Sequence, residues 1–472
     1  MNTFGADVRL IDATNGSTLA GPDLAKRILA MELELRAMPE GLVFLPAPWT
    51  IDTICRYLAA LRRRRPIALL DPQIDSATLA ELTTRFEPAG VWQPAIQAPV
   101  SEGYRREVPG WVRKSPAAAV HPDLALLMTT SGSTGAARMV RLSRHGVYAN
   151  AGAIVRALDI TSREIAPTSL PFHLGYGLSV LNSHLLAGAT IIVTPHPVIG
   201  PEFWAACDTY CASSFAAVSH VYELLSRLRW TPSMHPSLRT LTQSGSRMRP
   251  ELIAQLAGDI DRVQGRFFLM YGQTEATARM AILPPVKIAS KAGSVGLAVP
   301  GSALSIRLES GEETQKADAS GEVVFRGPGV MMGYADSAVD LARGDDHHGM
   351  LRTGDIGHFD QDGYLFLEGR LKRIAKLFGQ RINLDAVERL AAEAGARGMT
   401  AAVSLEDETI VIWCEGETDT EKLAVLSKRV AEQLNVNRHG VRAFGIGALP
   451  ALSNGKIDYR ALITKASNEV PQ

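Results

Sequence analysis

The feature that most constrains this chain is a repeated alternation of short apolar runs with amphipathic stretches, continuing to about residue 280. Pro66–Leu70, Leu124–Thr129, Thr190–Val193 and Phe267–Tyr271 read as short buried strands, and Asp52–Leu61 and His145–Leu158 as helices. Strands of that length separated by helices favour largely parallel sheets, so the chain is predicted to be α/β. The apolar run Leu185–Thr194 is about half of what a bilayer span needs and also reads as a buried strand. Arg62 to Arg65 follow a helix and read as its C-terminus, where cations suit the dipole.

The character changes after Gly296. Leu304–Leu308 and Glu322–Arg326 look like paired strands around the polar loop Ser310–Ser320, which implies a β-rich lobe. Gly369–Lys376 carries four basic residues and marks a boundary. Beyond it, strand-like Thr400–Ser404 and Ile410–Cys414 lie between helix-like Asp385–Ala394 and Thr420–Leu434. The expected organisation is a large N-terminal domain of packed sheets and helices with a β-rich lobe, residues 1–370. A small C-terminal α+β domain, residues 371–472, follows.

At 472 residues the chain is too long for one ordinary domain. Lys+Arg and Asp+Glu are both 49, and a chain with no net charge has no long-range field to gather polyanions. No nucleic-acid partner is therefore expected. The four cysteines are too few and scattered for a disulfide framework, and Cys207 and Cys211 read as a small-residue helix face. Met1–Ser17 has no apolar leader core, and no run is long enough to span a membrane. A cytoplasmic protein without membrane insertion is expected.

Five motifs carry chemistry. Met128–Gly135 follows a strand, and its glycines let successive backbone N–H groups curl into an anion nest, with hydroxyls as further donors. It is not a Walker A loop, since no lysine follows Gly135 at that spacing. Tyr271-Gly272-Gln273-Thr274-Glu275 ends an apolar strand; Thr274 can donate to a phosphate, Glu275 is a hard ligand for Mg²⁺, and Tyr271 offers a face to a base. Thr353-Gly354-Asp355 presents a carboxylate that a ribose diol could donate to. Gly369-Arg370-Leu371-Lys372 lies at the boundary, and Ser453-Asn454-Gly455-Lys456 is a polar turn presenting a lysine.

In this order, the set resembles the adenylate-forming superfamily of acyl-CoA synthetases, adenylation domains and luciferases, from about Leu124 to Leu462. Thr130, Ser131, Gly132, Ser133, Thr134 and Gly135 look like the family's phosphate loop. Ser169–Leu178, with His173, Tyr176 and Gly177, is similar to the acyl-pocket segment. Gly321–Tyr334, Leu351–Asp355 and Gly363–Arg370 fall in family order. Gly379–Ile382 resembles the segment where the acceptor thiol approaches, and Ser453–Tyr459 the closing lysine loop. Some positions depart from the family pattern. Arg138 stands where a lysine is usual, Ala386 replaces a common Glu while Glu388 is retained, Ser246 replaces a Gly or Ala, and Ala451 stands where Arg is common.

The resemblance implies a magnesium-dependent, two-step reaction in which ATP and a carboxylic acid give acyl-AMP and pyrophosphate. The acyl group then passes to the thiol of CoA or of a carrier protein's phosphopantetheine. By resemblance, Lys456 bridges the reacting groups, Thr274 contacts the α-phosphate, Glu275 holds Mg²⁺, and Thr130–Gly135 with Arg138 cradle the β- and γ-phosphates. Gly245, Ser246, Tyr271, Gly272 and Gln273 border the nucleotide, and Asp355 binds the ribose with Arg370 nearby. Lys372 is the hinge about which the small domain rotates, and Gly379 lies on the thiol's approach. His173 either lines the acyl pocket or is a packed histidine at a strand end. No carboxylate stands at 172–179 to pair with an α-ammonium, so a fatty or aryl acid is expected over an α-amino acid. The competing readings are an amino-acid adenylation protein serving a separate carrier and a nucleotide-binding homologue without catalysis.

Overall fold

Leu124–Thr129 is apolar up to its last residue, which suits a strand covered on both faces, and it lies inside an eight-stranded sheet. The sheet order is Gly333–Ala335, Met139–Ser143, Leu124–Thr129, Ile67–Leu70, Val43–Pro46, Gly90–Val91, Gly110–Arg113, Tyr104–Glu107. Its centre is parallel and its flanks are antiparallel. The helices carry local start signals. The Thr50 side chain accepts from Thr53 N to open Ile51–Arg62, and Ser143 accepts from Gly146 N to open Arg144–Leu158. Phe44, Leu70, Phe86, Trp111 and Leu127 form part of the core of this sheet.

The computed structural model describes residues 7–92, 102–108, 110–129, 138–377, 380–396, 398–405, 409–451 and 457–469. The chain divides into two compact units, Met1–Leu304 with Phe325–Leu351, and Ser305–Val324 with Arg352–Gln472. The first unit also holds a parallel trio, Ser214–Ala217, Thr240–Gln243 and Arg266–Tyr271, continued antiparallel by Ala281–Leu283 and Ser294–Ala298. A four-stranded sheet has the order Ile165–Pro167, Thr190–Val193, Arg9–Asp12, Thr18–Ala20.

In the second unit Leu365–Arg370 pairs with Asp355–Phe359, and Glu313–Thr314 folds back on Ile306 and Arg307. Towards the C-terminus, Thr400–Leu405, Thr409–Glu415 and Val441–Ile446 form a three-stranded sheet. Its residues alternate between two cores. Ala402, Ile410 and Ile412 face helices Leu384–Glu393 and Thr420–Gln433, while Val403, Val411 and Trp413 face Leu462 and Ala466 of helix Tyr459–Glu469. The architecture is the mixed α/β fold with a smaller C-terminal α+β region that the sequence pattern suggests. Among the described residues, no helix is long and apolar enough to cross a membrane.

Two local expectations are corrected. Leu185–Thr194 is not one strand: helix Gly175–Ala187 runs into it, Gly188 turns at φ 70°, and the strand begins at Thr190. That helix is buried on most sides, so it shows no polar stripe from which a period could be read. Arg62–Arg65 is more than a cationic helix end. Arg64 adopts a left-handed φ of 54°, which turns Arg65 inward to donate to the carbonyls of Pro39 and Gly41.

Helix Gly175–Ala187 also buries His184, whose Nδ1–H donates 2.8 Å to the carbonyl of Val180, and burial pushes its pKa down to about 4. An unfolded histidine takes up a proton near pH 6.5, whereas this one stays neutral until about 4. Stability is therefore whole above the unfolded value and declines as pH falls between the two, by up to about 3 kcal/mol. Urea unfolding between pH 7 and 4 should show a shallower acid-side loss for His184→Gln than for the wild type.

Candidate functional site

The strand Arg266–Tyr271 ends in a turn set by close packing. A side chain at Gly272 would collide with the carbonyl of Ala278, so the backbone crosses itself there. Thr274–Ala276 forms a single 3₁₀ turn, and Thr277 and Ala278 follow with φ of 56° and 94°. The turn is tied by Ala278 N to Gln273 O at 3.1 Å and Met280 N to Tyr271 O at 2.8 Å. Tyr271 itself is buried, with Gln273 half-buried beside it in sequence. The Thr274 side chain lies over Gly175, where helix Gly175–Ala187 begins.

Glu275 is held from another sheet. Its Oε1 accepts from the Tyr334 hydroxyl at 2.9 Å, and its carbonyl accepts from Met331 N at 2.8 Å. Burial and the adjacent carboxylate push the Tyr334 pKa up, so its proton stays on and the hydroxyl remains a donor. Tyr334 lies on the strand paired with Met139–Ser143, which brings Arg138 alongside. The Arg138 guanidinium is 5.5 Å from the Tyr334 ring centroid, and its Nε is 3.4 Å from Asp336. Glu275, Tyr334 and Arg138 thus form one cluster. Tyr334 closes a segment in family order, but nothing in the sequence marks it as the residue that orients Glu275.

The acyl-segment residues lie along the start of helix Gly175–Ala187. His173 is 3.8 Å from Asp71, and burial lowers its pKa, so its ring is neutral at neutral pH. Its Nδ1 is buried without a hydrogen-bond partner among the described residues. The Tyr176 hydroxyl lies 2.8 Å from Thr242 Oγ1. Gly177 has no room for a Cβ, which would strike the carbonyl of Pro171, so its place follows from close packing. Two cavities flank this helix and share Val180 and His184; one reaches Phe172 and Gly177, the other Thr242 and Arg279. Arg279 was missed by sequence reasoning, because a single arginine near a strand carries no distinguishing pattern. Elsewhere in this unit, Ser246 ties the turn at Gly245 to helix Ser219–Arg227, its Oγ donating 3.0 Å to Ser219 and its carbonyl accepting from Ser219 and Gln243.

In the second unit Asp355 is buried, accepts from Arg370 Nε at 3.0 Å and faces Arg370 across the strand pair. Arg370 N donates to Asp385 at 2.9 Å. Lys372 is exposed on the turn Leu371–Arg373. Its neighbour Arg373 is the anchored residue: it is 2.5 Å from both Asp385 and Glu388, and its guanidinium stacks 3.8 Å from the Tyr459 ring centroid. Burial pushes the Glu388 pKa up, with Arg373 pulling it the other way.

Thr130, Ser131, Gly132, Ser133, Thr134, Gly135, Gly379 and Lys456 lie outside the described residues. Two of their loops have described flanks: Thr129 pairs with Met139, and Ala451 bridges to Ile457. Among the described residues no group of three acidic, histidine or cysteine side chains could hold a metal ion. Among the described residues, Glu275 offers one carboxylate with only Oε1 engaged. That donor set fits Mg²⁺, which takes one or two carboxylates and completes its shell with water and phosphate oxygens.

A family model described as AMP-binding enzyme matches residues 39–335. The chain is 31% identical to indoleacetate–CoA ligase of Aromatoleum aromaticum over 309 residues, 63% of this chain and 59% of that protein. It is 30% identical to oxalate–CoA ligase of Arabidopsis thaliana over 357 residues, 72% of this chain and 67% of that protein. Against the first of these, the chain spans less than two thirds of the relative's length. It shares its fold with o-succinylbenzoate CoA synthetase from Bacillus subtilis, solved in complex with its acyl-adenylate intermediate, at a TM-score of 0.76 and 18% identity, covering 98% of this chain and 95% of that one.

The packing of Gly272 generates a direct expectation. Gly272→Ala forces a methyl into the Ala278 carbonyl and should destabilise the first unit by about 1–3 kcal/mol. Urea unfolding is the measurement, and an unchanged midpoint would mean the turn relaxes freely.

Proposed function

The chain belongs to the AMP-binding enzyme family, and from that premise we propose that it is an AMP-forming acid–thiol ligase. It activates a carboxylic acid as acyl-AMP and passes the acyl group to a thiol. The observation that carries this reading is the cluster of Glu275, Tyr334 and Arg138, with Arg138 one residue from the strand that closes the glycine-rich loop. One carboxylate oriented by a hydroxyl donor, with a cation beside that donor, suits a triphosphate with its metal.

In the first half-reaction the substrate carboxylate attacks the α-phosphorus, and the bond to pyrophosphate breaks. A carboxylate is already a nucleophile, so no general base is required. The difficulty is bringing two anions together, and preorganised positive charge and donors lower that barrier. Lys456 bridges the substrate carboxylate and the nucleotide. Thr274 donates to the α-phosphate, and Thr130–Gly135 with Arg138 hold the β- and γ-phosphates. Glu275 would hold Mg²⁺, which supplies neutralising charge to the triphosphate. Gly245, Ser246, Gly272 and Gln273 border the nucleotide and Tyr271 packs on adenine, while Asp355, positioned by Arg370, takes the ribose. In the second half-reaction a thiol passing Gly379 attacks the acyl carbonyl and AMP leaves. Residues 371–472 act as the small domain, turning about Lys372 between the two steps.

CoA is the proposed acceptor, supported by two relatives that are named as CoA ligases. The proposed acid is fatty or aryl and not α-amino. The segment 172–179 carries no carboxylate for an ammonium, and the buried cation Arg279 lies over Tyr176. His173, Tyr176 and Gly177 belong to the start of that pocket.

Acid-dependent ATP–pyrophosphate exchange across fatty, aryl and amino acids tests the reading. ATP binding with no exchange for any acid would favour a nucleotide-binding homologue. Lys456→Ala should lower adenylation by roughly a hundredfold or more while thioester formation from supplied acyl-AMP survives. Equal loss in both steps would overturn that division. Tyr334→Phe removes the hydroxyl that donates to Glu275 and should cut exchange by about tenfold, with a raised requirement for magnesium in the titration.

A further inference from the structure

Two arginines of the first unit are wholly enclosed, and only one has a counter-charge. Arg141 lies 2.7 Å from Asp346 and also donates to the carbonyls of Met332, Tyr334 and Gly344. Arg279 has nothing comparable. Its Nε and Nη1 are buried without a hydrogen-bond partner, and no carboxylate pairs with it among the described residues. The Tyr176 ring, 5.2 Å from its guanidinium carbon, offers its face but no acceptor in the guanidinium plane. Burial lowers the Arg279 pKa to about 10, which still leaves it charged at neutral pH. An enclosed, unpaired guanidinium is among the costliest arrangements in a protein interior, and the chain reaches it through the strained φ of 94° at Ala278.

The surroundings suit a ligand. Arg279 lines a small cavity with Thr240, Thr242 and His184. Thr240 Oγ1 is a second buried polar atom there without a partner. Glu164 also lines the cavity, but its Oε2 accepts from Ser213 Oγ at 2.6 Å. Leu158 and Phe215 make other walls apolar. The cavity shares the lining residues Ala166, Pro167, Val180 and His184 with the one that reaches Phe172 and Gly177, which sets the positive charge near the acyl segment.

We propose that Arg279 receives a second carboxylate on the acid substrate, so that the chain activates a dicarboxylic acid whose far end pairs with Arg279 and the Thr240 hydroxyl. The apolar walls hold the aliphatic or aryl spacer between the two acid groups. This rests on the reading of the chain as an acid-activating ligase. It deepens that reading by naming the class of acid. An α-amino acid would meet a like charge, and a simple fatty acid would leave the guanidinium unpaired.

The test is ATP–pyrophosphate exchange with matched pairs, hexanoate against adipate and phenylacetate against 4-carboxyphenylacetate. The wild type should favour at least one diacid over its partner by roughly tenfold or more in kcat/KM, the range of a hydrogen bond to a charged group. In Arg279→Met the diacid-to-monoacid ratio should fall by a similar factor, and Arg279→Lys should keep part of it. A wild-type preference for both monoacids, or a ratio unchanged in Arg279→Met, overturns the proposal while leaving the ligase reading intact. Exchange with no acid at all counts against the ligase reading instead. Calorimetric titration of adipate and 4-carboxyphenylacetate then decides the role of Arg279: binding lost in Arg279→Met upholds it, and equal or absent binding overturns it.

Discussion

The site depends on one close approach, that of the Gly272 backbone to the carbonyl of Ala278. With no side chain at Gly272 the chain can turn back on itself within a few residues of the strand end. The course this leaves is a 3₁₀ turn and then two left-handed residues. Left-handed φ at a non-glycine costs about 1–3 kcal/mol, and it persists only where neighbours over-determine it. They do so here. Asn150 donates to the Arg279 carbonyl at 2.8 Å, and Thr277 Oγ1 donates to the Gly329 carbonyl at 2.5 Å. The reward is that Glu275 and Arg279, four residues apart, are fixed in different surroundings. The carboxylate meets Tyr334, and the guanidinium enters a cavity wall.

Charge placement follows the same logic across the molecule. The net charge is zero, so function comes from where individual charges are confined. Asp355 is buried yet has Arg370, and Arg373 has Asp385 and Glu388. Arg141 is enclosed by carbonyls and Asp346. Such buried pairs add little net stability, because desolvation offsets most of the attraction, but breaking one is costly and so they hold geometry. Against this pattern Arg279, with no counter-ion among the described residues, stands out as a feature of the pocket, not of the scaffold.

Most of the strands and motifs are legible because their signals are local. Leu124–Thr129 is a strand in both readings, since five consecutive apolar residues before a glycine-rich loop leave few alternatives. The helices of the C-terminal region are equally plain, since each has one apolar stripe. The failures share a cause. The end of helix Gly175–Ala187 is hidden because the helix is buried on most sides, and Arg65 hides within a row of four arginines whose last member is turned inward by a single left-handed residue. In both cases the deciding partner lies far off in sequence.

The sequence by itself determined the α/β rhythm, the order of the motifs and hence the family, because these depend on side-chain period and on short-range spacing. It also placed Thr274 and Glu275 together, as neighbours on one turn. Only the tertiary structure decided that Tyr334 holds Glu275, that Arg138 lies against Tyr334, that Arg373 and not Lys372 is the anchored cation, and that Arg279 is enclosed with no carboxylate paired to it among the described residues. Each of these is a meeting of residues from separate strands or helices, or the absence of one. Hydrogen bonds and burial between distant segments leave no period in the chain, so no local pattern could have announced them.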